Sequence, residues 1–244
     1  MILIEICAGS LTSALAAQEG GAYRIELCDN LKEGGTTPSY AQIALARKYL
    51  DIKLYPIIRP RGGDFLYLDL EFEIMKMDIE QCRELGCDGV VFGILQQDGQ
   101  IDKERCLELK EAAGSMGITF HRAFDRCKDP FQALEDIIEM GFERILTSGM
   151  EINAIKGASL ISKLVVQAKD RIIIMPGAGI RTDNLKQLIQ VTGASEFHTS
   201  AKNTFKSEML FTDVRTGDLK EEFFVGQTEP NLVKELVQIA EGFG

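Results

Sequence analysis

Two cysteines, Cys7 and Cys28, end two similar runs of sequence, ILIEIC and YRIELC. Each run is short, apolar and β-branched, which is typical of a buried strand. If the two strands are neighbours in a parallel sheet, their last side chains lie about 5 Å apart. Two thiolates at that spacing can bracket one soft ion, and Cu(I) prefers thiolate ligands. The pair is equally compatible with inert buried thiols, because free cysteine is among the most commonly buried residue types.

Charged side chains occupy alternate positions of the same two runs. Glu5 shares a strand face with Cys7, and Arg24 and Glu26 share one with Cys28. Strands that are buried on both faces are normally almost wholly apolar, and an unpaired buried carboxylate costs several kcal/mol. We therefore expect these groups to pair with each other at the wet mouth of the fold, with Glu5 and Arg24 as one cross-strand pair.

Histidine is scarce, since the chain has only His121 and His198. An imidazole set beside carboxylates is suited to general acid or base work. One interpretation is therefore catalysis, in which a carboxylate abstracts a proton, His121 is the partner acid and Arg24 stabilises the developing charge. The catalytic candidates are Glu5, Arg24, Glu26 and His121. The competing interpretation is an interior that is merely filled with compensated charges.

Three segments that follow strand candidates could hold an anion. Two arginines flank a proline ahead of a glycine pair in RPRGGDF, a pattern that can offer guanidinium forks and backbone N–H groups. The turns PGAG and HTSA follow the seventh and eighth strand candidates, where barrel enzymes often bind phosphate. Tight turns also require glycine, so the pattern is only moderately specific. The anion-binding candidates are Arg59, Arg61, Gly177, Gly179, His198 and Ser200.

Eight strand candidates alternate with amphipathic helical runs, which predicts βα units and a parallel sheet. The candidates cover residues 2–7, 23–28, 53–58, 89–93, 117–121, 143–147, 171–175 and 194–198. Eight units in 244 residues predict a TIM-like (β/α)8 barrel as one domain over residues 1–244. An open doubly wound sheet is the alternative, but CAGSLTSA lacks its glycine fingerprint. Residues 201–228 break the rhythm and predict an extended loop after strand eight, as a lid or contact surface.

The net charge, the N-terminal residues and the cysteine spacing exclude several classes of partner and location. The net charge of −10 opposes bulk binding to a phosphate backbone, so no nucleic-acid partner is expected. Residues 1–10 lack a basic region and are too short to span a bilayer, which predicts a cytoplasmic protein without membrane attachment. The six cysteines include no CxxC pair, so neither a disulfide framework nor a tetrahedral zinc cluster is expected.

The motifs ELC, EGGTTPS, RPRGGDF, DGVVFG, FHRAFD, RILTSG, MPGAGI and FHTSA, in this order, resemble those of the CutC family. The resemblance runs from about residue 1 to residue 201. It implies a TIM-like barrel, a cytoplasmic location, a homodimer or higher homo-oligomer, and a role in copper homeostasis. In that family the proposed copper-binding cysteines stand where this sequence has Cys7 and Cys28. Many relatives have glycine where this sequence has Ala178.

Two functions remain open at this point. The first is binding of Cu(I) through Cys7 and Cys28, which explains two residues. The second is isomerase-like or lyase-like acid–base chemistry on a small anionic or phosphorylated metabolite, which also explains RPRGGDF and FHRAFD.

Overall fold

The computed structural model describes residues 1–211 and 223–243. Eight strands alternate with eight helices, as the sequence predicts. The strands are β1 (Leu3–Ala8), β2 (Arg24–Leu27), β3 (Lys53–Pro56), β4 (Gly89–Phe92), β5 (Gly117–Phe120), β6 (Arg144–Thr147), β7 (Ile173–Pro176) and β8 (Glu196–Thr199). The helices are α1 (Leu11–Glu19), α2 (Tyr40–Tyr49), α3 (Asp69–Glu84), α4 (Lys103–Ala113), α5 (Pro130–Glu139), α6 (Ala154–Ala168), α7 (Leu185–Thr192) and α8 (Pro230–Glu241).

The eight strands are parallel and close into a barrel. Hydrogen-bonded ladders join them in the orders β3-β2-β1-β8 and β4-β5-β6-β7. A bridge between Ile57 and Val91 links β3 to β4, and β7 lies beside β8. The expectation of a (β/α)8 barrel is confirmed, and the alternative of an open doubly wound sheet is wrong because the two sheets meet at both seams.

Polar side chains cap the N-termini of several helices. The Ser10 hydroxyl accepts a hydrogen bond from Ser13 N at 3.1 Å at the start of α1, and the Asp102 carboxylate accepts one from Arg105 N at 3.2 Å before α4. Asp129 caps α5, whose first position holds Pro130, a residue that has no N–H to satisfy there. These caps mark the first turns of α1, α4 and α5.

The apolar core lies between the barrel and its helices. Ile4 and Ile6 of β1 and Ile25 and Leu27 of β2 belong to one buried cluster that also includes the inner faces of the helices. Because side chains alternate along a strand, the residues between them face the barrel interior. Because of this alternation, Glu5 and the other charged strand residues point into the barrel interior.

The segment after β8 differs from the extended loop that the sequence predicts. Residues 201–228 were expected to form an extended loop, but Lys202–Lys206 (β9) and Phe224–Thr228 (β10) pair as an antiparallel hairpin. The outer part of that segment, residues 212–222, lies outside the described residues. In the described part of the chain, no helix is both long and apolar enough to cross a membrane.

Candidate functional site

The barrel interior holds a network of two carboxylates and two guanidinium groups. Glu5 of β1 stands in register with Arg24 of β2, and the Arg24 Nε donates to the Glu5 carboxylate, as the sequence predicts. Arg24 also donates to Glu196 of β8. The Arg144 Nε of β6 donates to the Glu196 Oε2 at 2.6 Å. The four formal charges cancel, which is what makes their burial tolerable.

Neutral and polar side chains complete this network. The Arg144 Nη1 donates to Thr119 Oγ1 at 3.1 Å, and the Tyr55 hydroxyl donates to Glu143 Oε2 at 2.9 Å. The Tyr55 ring lies 5.2 Å from the Arg24 Cζ, within cation–π range. Burial raises the pKa of the Glu5 carboxyl, but Arg24 and the hydrogen bond from His198 outweigh it and hold that pKa well below its usual range. Glu5 is therefore ionised.

His198 connects this network to a third carboxylate, that of Glu26. Its Nδ1 lies 2.7 Å from Glu5 Oε1, and its Nε2 lies 3.7 Å from Glu26 Oε2. Burial lowers the pKa of His198, but Glu26, Cys7 and Glu5 together raise it well above its ordinary value. Burial also raises the pKa of Glu26. The arrangement is an imidazolium held between two carboxylates.

The two cysteines meet beside His198. The Cys7 and Cys28 sulfur atoms are 3.2 Å apart, closer than the strand spacing alone predicts, and both residues are buried. Cys28 follows the end of β2, where its N–H donates to the Ala8 carbonyl at 3.0 Å. The contact with Cys28 and burial raise the pKa of Cys7 well above its ordinary value. Without a metal the pair is therefore a pair of thiols.

A cavity of about 650 Å³ lies at the carboxyl ends of the strands, above this group. Cys7, Glu26 and His198 line it, whereas Glu5, Arg24 and Cys28 are not among its described lining residues. Two of the predicted catalytic residues, Glu5 and Arg24, thus lie beneath the cavity and position His198, which contacts it. The apolar side chains that line the cavity include Leu146, Leu232 and Leu236.

His121 lines the same cavity from the end of β5. Its Nδ1 accepts a hydrogen bond from Ala123 N at 3.3 Å, while its Nε2 has no partner among the described residues. Burial and the Arg59 charge lower the pKa of His121 to about 3. A neutral imidazole with its proton on Nε2 is a hydrogen-bond donor. The sequence proposed His121 as the partner acid; in the structure the pKa of His121 is lowered, whereas that of His198 is raised.

The two predicted arginines differ in their placement. The Arg59 Nη1 donates to the Glu33 and Gly35 carbonyls at 2.7 Å, and its Nη2 donates to the Gly63 carbonyl at 2.9 Å. Arg59 thus clamps two loops and keeps only its Nε without a partner in the described structure, at the cavity wall. Arg61 pairs with Glu71 at 2.6 Å and Asp64 at 3.0 Å, outside the cavity lining.

The turns after β7 and β8 form the remaining wall. Gly179, Ser200 and His198 line the cavity. Gly177 is not among its described lining residues, and a Cβ there would overlap the Leu146 side chain. Ala178 adopts φ 74°, a left-handed conformation that costs a non-glycine residue of the order of 1 kcal/mol. Its carbonyl accepts a hydrogen bond from Ala154 N at 3.0 Å, so the first turn of α6 holds this strained turn in place.

Sequence reasoning missed two parts of the site. Arg144 completes the interior network, and the signal for it was a charge at the start of a buried strand. Asp125 accepts hydrogen bonds from Thr147 Oγ1 at 2.5 Å and from Ser148 N at 3.0 Å, and Arg122 Nε donates to it at 2.7 Å. The motif FHRAFD thereby braces the end of β6 and places Arg122 at the cavity wall.

The raised pKa of His198 predicts a pH dependence of stability. In metal-free protein, folding favours the protonated ring, so this stabilisation is complete below the unfolded pKa of about 6.5. It is lost as the pH rises toward the folded value. We expect the free energy of unfolding to fall as the pH rises above about 6.5, by at most about 1.4 kcal/mol per unit. Urea unfolding in EDTA measures it, and a His198→Gln variant with an unchanged slope would refute it.

The fold and the site define a class of protein: a TIM barrel with a balanced charge network inside and a thiol-lined cavity at the carboxyl ends of its strands. The sequence profile of the CutC family matches residues 2–203, so the chain belongs to that family. A CutC family protein from Chromobacterium violaceum is 54% identical over 209 residues, covering 86% of this chain and 85% of its own.

Two further comparisons agree. The human copper homeostasis protein cutC homolog is 50% identical over 209 residues, covering 86% of this chain and 77% of its own. A crystal structure of CutC from Streptococcus agalactiae covers 82% of this chain and 99% of its own, with 40% identity and a TM-score of 0.79. Phosphoribosylanthranilate isomerase from Thermotoga maritima is only 14% identical with a TM-score of 0.61, and shares the barrel fold.

Proposed function

We propose that this protein binds Cu(I) between Cys7 and Cys28. The observation that carries the proposal is the 3.2 Å contact between the two sulfur atoms at the edge of the cavity floor. Cu(I) prefers thiolate sulfur and tolerates low coordination numbers. The names of the related proteins, which refer to copper homeostasis, support the same assignment.

The thiol pair fits Cu(I) after a small adjustment. Metal–thiolate bonds of about 2.3 Å place two sulfurs roughly 4.0–4.6 Å apart in trigonal or linear geometry. The two sulfurs must therefore separate by roughly 1 Å, a distance that side-chain rotation can supply. Both thiols lose a proton on binding, and the nearby imidazolium of His198 offsets the negative charge of the resulting complex.

Competition against a Cu(I) chelator tests this proposal. We expect Cys28→Ser to weaken Cu(I) binding at least about 100-fold, or roughly 2.7 kcal/mol, because one of two thiolate ligands is lost. Cys106→Ser is the matched control, since Cys106 is an equally buried cysteine on α4. Equal affinities of Cys28→Ser and Cys106→Ser would exclude the pair as the copper site.

A second candidate function rests on the cavity. Its volume of about 650 Å³ suits a small metabolite. Glu26 and His198 face it as a carboxylate and an imidazolium, a pair able to take and give a proton. Neutral His121 offers a hydrogen bond to an oxygen on which negative charge develops. We propose acid–base chemistry on a small anionic molecule, with Arg122, Gly179 and Ser200 near its charged group.

Thermal denaturation with a panel of phosphorylated and carboxylated metabolites tests the second candidate. A ligand that binds only the native state raises its melting temperature. We expect at least one such compound to stabilise Cys28→Ser as much as the parent protein, and to stabilise Glu26→Gln less. Equal stabilisation of Glu26→Gln and the parent would place the ligand elsewhere.

A further inference from the structure

Three different metal-ligand atoms converge on the cavity floor. The sulfur of Cys7, a carboxylate oxygen of Glu26 and an imidazole nitrogen of His198 all lie within 4.8 Å of one another. They come from β1, β2 and β8, which are adjacent in the sheet order. All three residues also line the cavity. A single ion bound among them would contact both the protein and the contents of the cavity.

We propose that Cys7, Glu26 and His198 form a site for a divalent transition-metal ion such as Zn²⁺, with one coordination position open to the cavity. This set shares Cys7 with the copper pair but does not use Cys28. It needs no copper chemistry, and it stands whether or not the Cu(I) proposal holds.

The spacing of the ligand atoms suits such an ion. The Nε2 of His198 and the Oε2 of Glu26 are 3.7 Å apart. Two ligands bonded to zinc at about 2.0–2.2 Å in tetrahedral geometry lie about 3.4 Å apart. Small rotations of the two side chains are therefore enough to bring both atoms to bonding distance.

A buried carboxylate already orients the histidine for this role. The Nδ1 of His198 lies 2.7 Å from Glu5 Oε1, which leaves Nε2 as the atom that faces Glu26. Metal-binding histidines typically use their second ring nitrogen in this way, and the carboxylate fixes the tautomer and the ring angle. Arg24 in turn holds Glu5 from below. The supporting groups of a metal site are thus in place.

Ligand type also separates this site from the copper pair. One sulfur, one nitrogen and one oxygen suit a borderline ion such as Zn²⁺, whereas two sulfurs suit Cu(I). Three protein ligands with a fourth position open to a cavity are typical of catalytic rather than structural zinc sites. A bound ion would take Glu26 and His198 as ligands, so it would exclude the acid–base pair of the second candidate function and would act instead as a Lewis acid toward an anionic group in the cavity.

Cobalt(II) binding to the full chain, stripped of metal and reduced, tests the proposal. Co²⁺ replaces Zn²⁺ with similar ligand preferences and gives a sulfur-to-cobalt charge-transfer absorption only when a thiolate coordinates it. We expect one Co²⁺ per chain with this absorption, displaced by Zn²⁺. Glu26→Gln and His198→Gln should each weaken binding at least about tenfold, and Cys7→Ser should abolish the absorption.

The Cys28→Ser variant is the discriminating control. It should retain the cobalt absorption and affinity while losing Cu(I) binding. If Cys28→Ser lost both Co²⁺ and Cu(I) binding, the two thiols would hold either ion, and the three-ligand site would be overturned. Unchanged Co²⁺ affinity in both Glu26→Gln and His198→Gln would overturn it as well. If Cys28→Ser retained both Co²⁺ and Cu(I) binding, only the copper assignment would be overturned. Urea unfolding and circular dichroism confirm that each variant is folded, and absence of Co²⁺ binding by the folded parent also refutes the site.

Discussion

Replacing Arg24 with methionine is expected to lower the free energy of unfolding by about 3–5 kcal/mol, because it breaks a buried ion network on one side. Arg24 is 1% exposed and donates to both Glu5 and Glu196. Methionine fills a similar volume but leaves two carboxylates with only Arg144 and His198 as counter-charges. Urea unfolding at pH 7, with and without the substitution, measures the difference.

A surface ion pair provides the matched control. Arg171 makes two hydrogen bonds to Glu135 at 2.7 and 2.9 Å, but both side chains are about 40% exposed. Arg171→Met should therefore cost no more than about 1 kcal/mol. If Arg24→Met and Arg171→Met destabilised the protein equally, the interior network would contribute no more to the free energy of unfolding than a surface ion pair does.

Gly157→Ala is expected to destabilise the protein by about 3 kcal/mol, at the upper end of overpacking effects. A Cβ on Gly157 would overlap the Ser148 carbonyl oxygen and lie 2.8 Å from the Gly149 Cα. These are backbone atoms, so no side-chain rotation can relieve the overlap. The substitution should push α6 away from the end of β6, and thermal or urea unfolding would register the loss.

Gly226→Ala is the control for this substitution, because a Cβ there would meet nothing closer than 3.9 Å, at Lys202 Cδ. We expect its stability to stay within about 0.5 kcal/mol of the parent. If both variants kept the parent's stability, the close approach of α6 to β6 would not be a constraint on the fold. Because Ala154 of α6 also holds the Ala178 turn, Gly157→Ala should additionally reduce any ligand binding in the cavity.

Much of this fold could be predicted from periodicity. The eight strands are short and apolar, with turns between them. Strand alternation alone predicts that Glu5, Arg24 and Glu26 lie on the same face of the sheet. The pairing of Glu5 with Arg24 followed from the order of consecutive parallel strands. The hairpin of β9 and β10 could not be found in this way, because its exposed strands carry no alternating apolar pattern.

The site was harder to predict because it depends on contacts between distant parts of the chain. His198 lies next to Glu5 only because β8 closes the barrel against β1. Burial lowers the pKa of both histidines, and Arg59 lowers that of His121 further, but Glu26, Cys7 and Glu5 raise the pKa of His198 above its ordinary value. The sequence also gave no sign of a mixed metal-ligand set, because Cys7, Glu26 and His198 have no characteristic spacing.

X-ray absorption spectroscopy of the Cu(I)-loaded protein tests the copper assignment most directly, because it counts the sulfur atoms bonded to the ion. We predict two sulfur neighbours in the parent protein and in Cys106→Ser, and one at most in Cys28→Ser. A copper ion surrounded by nitrogen and oxygen alone, or two sulfur neighbours that persist in Cys28→Ser, would contradict Cu(I) binding between Cys7 and Cys28.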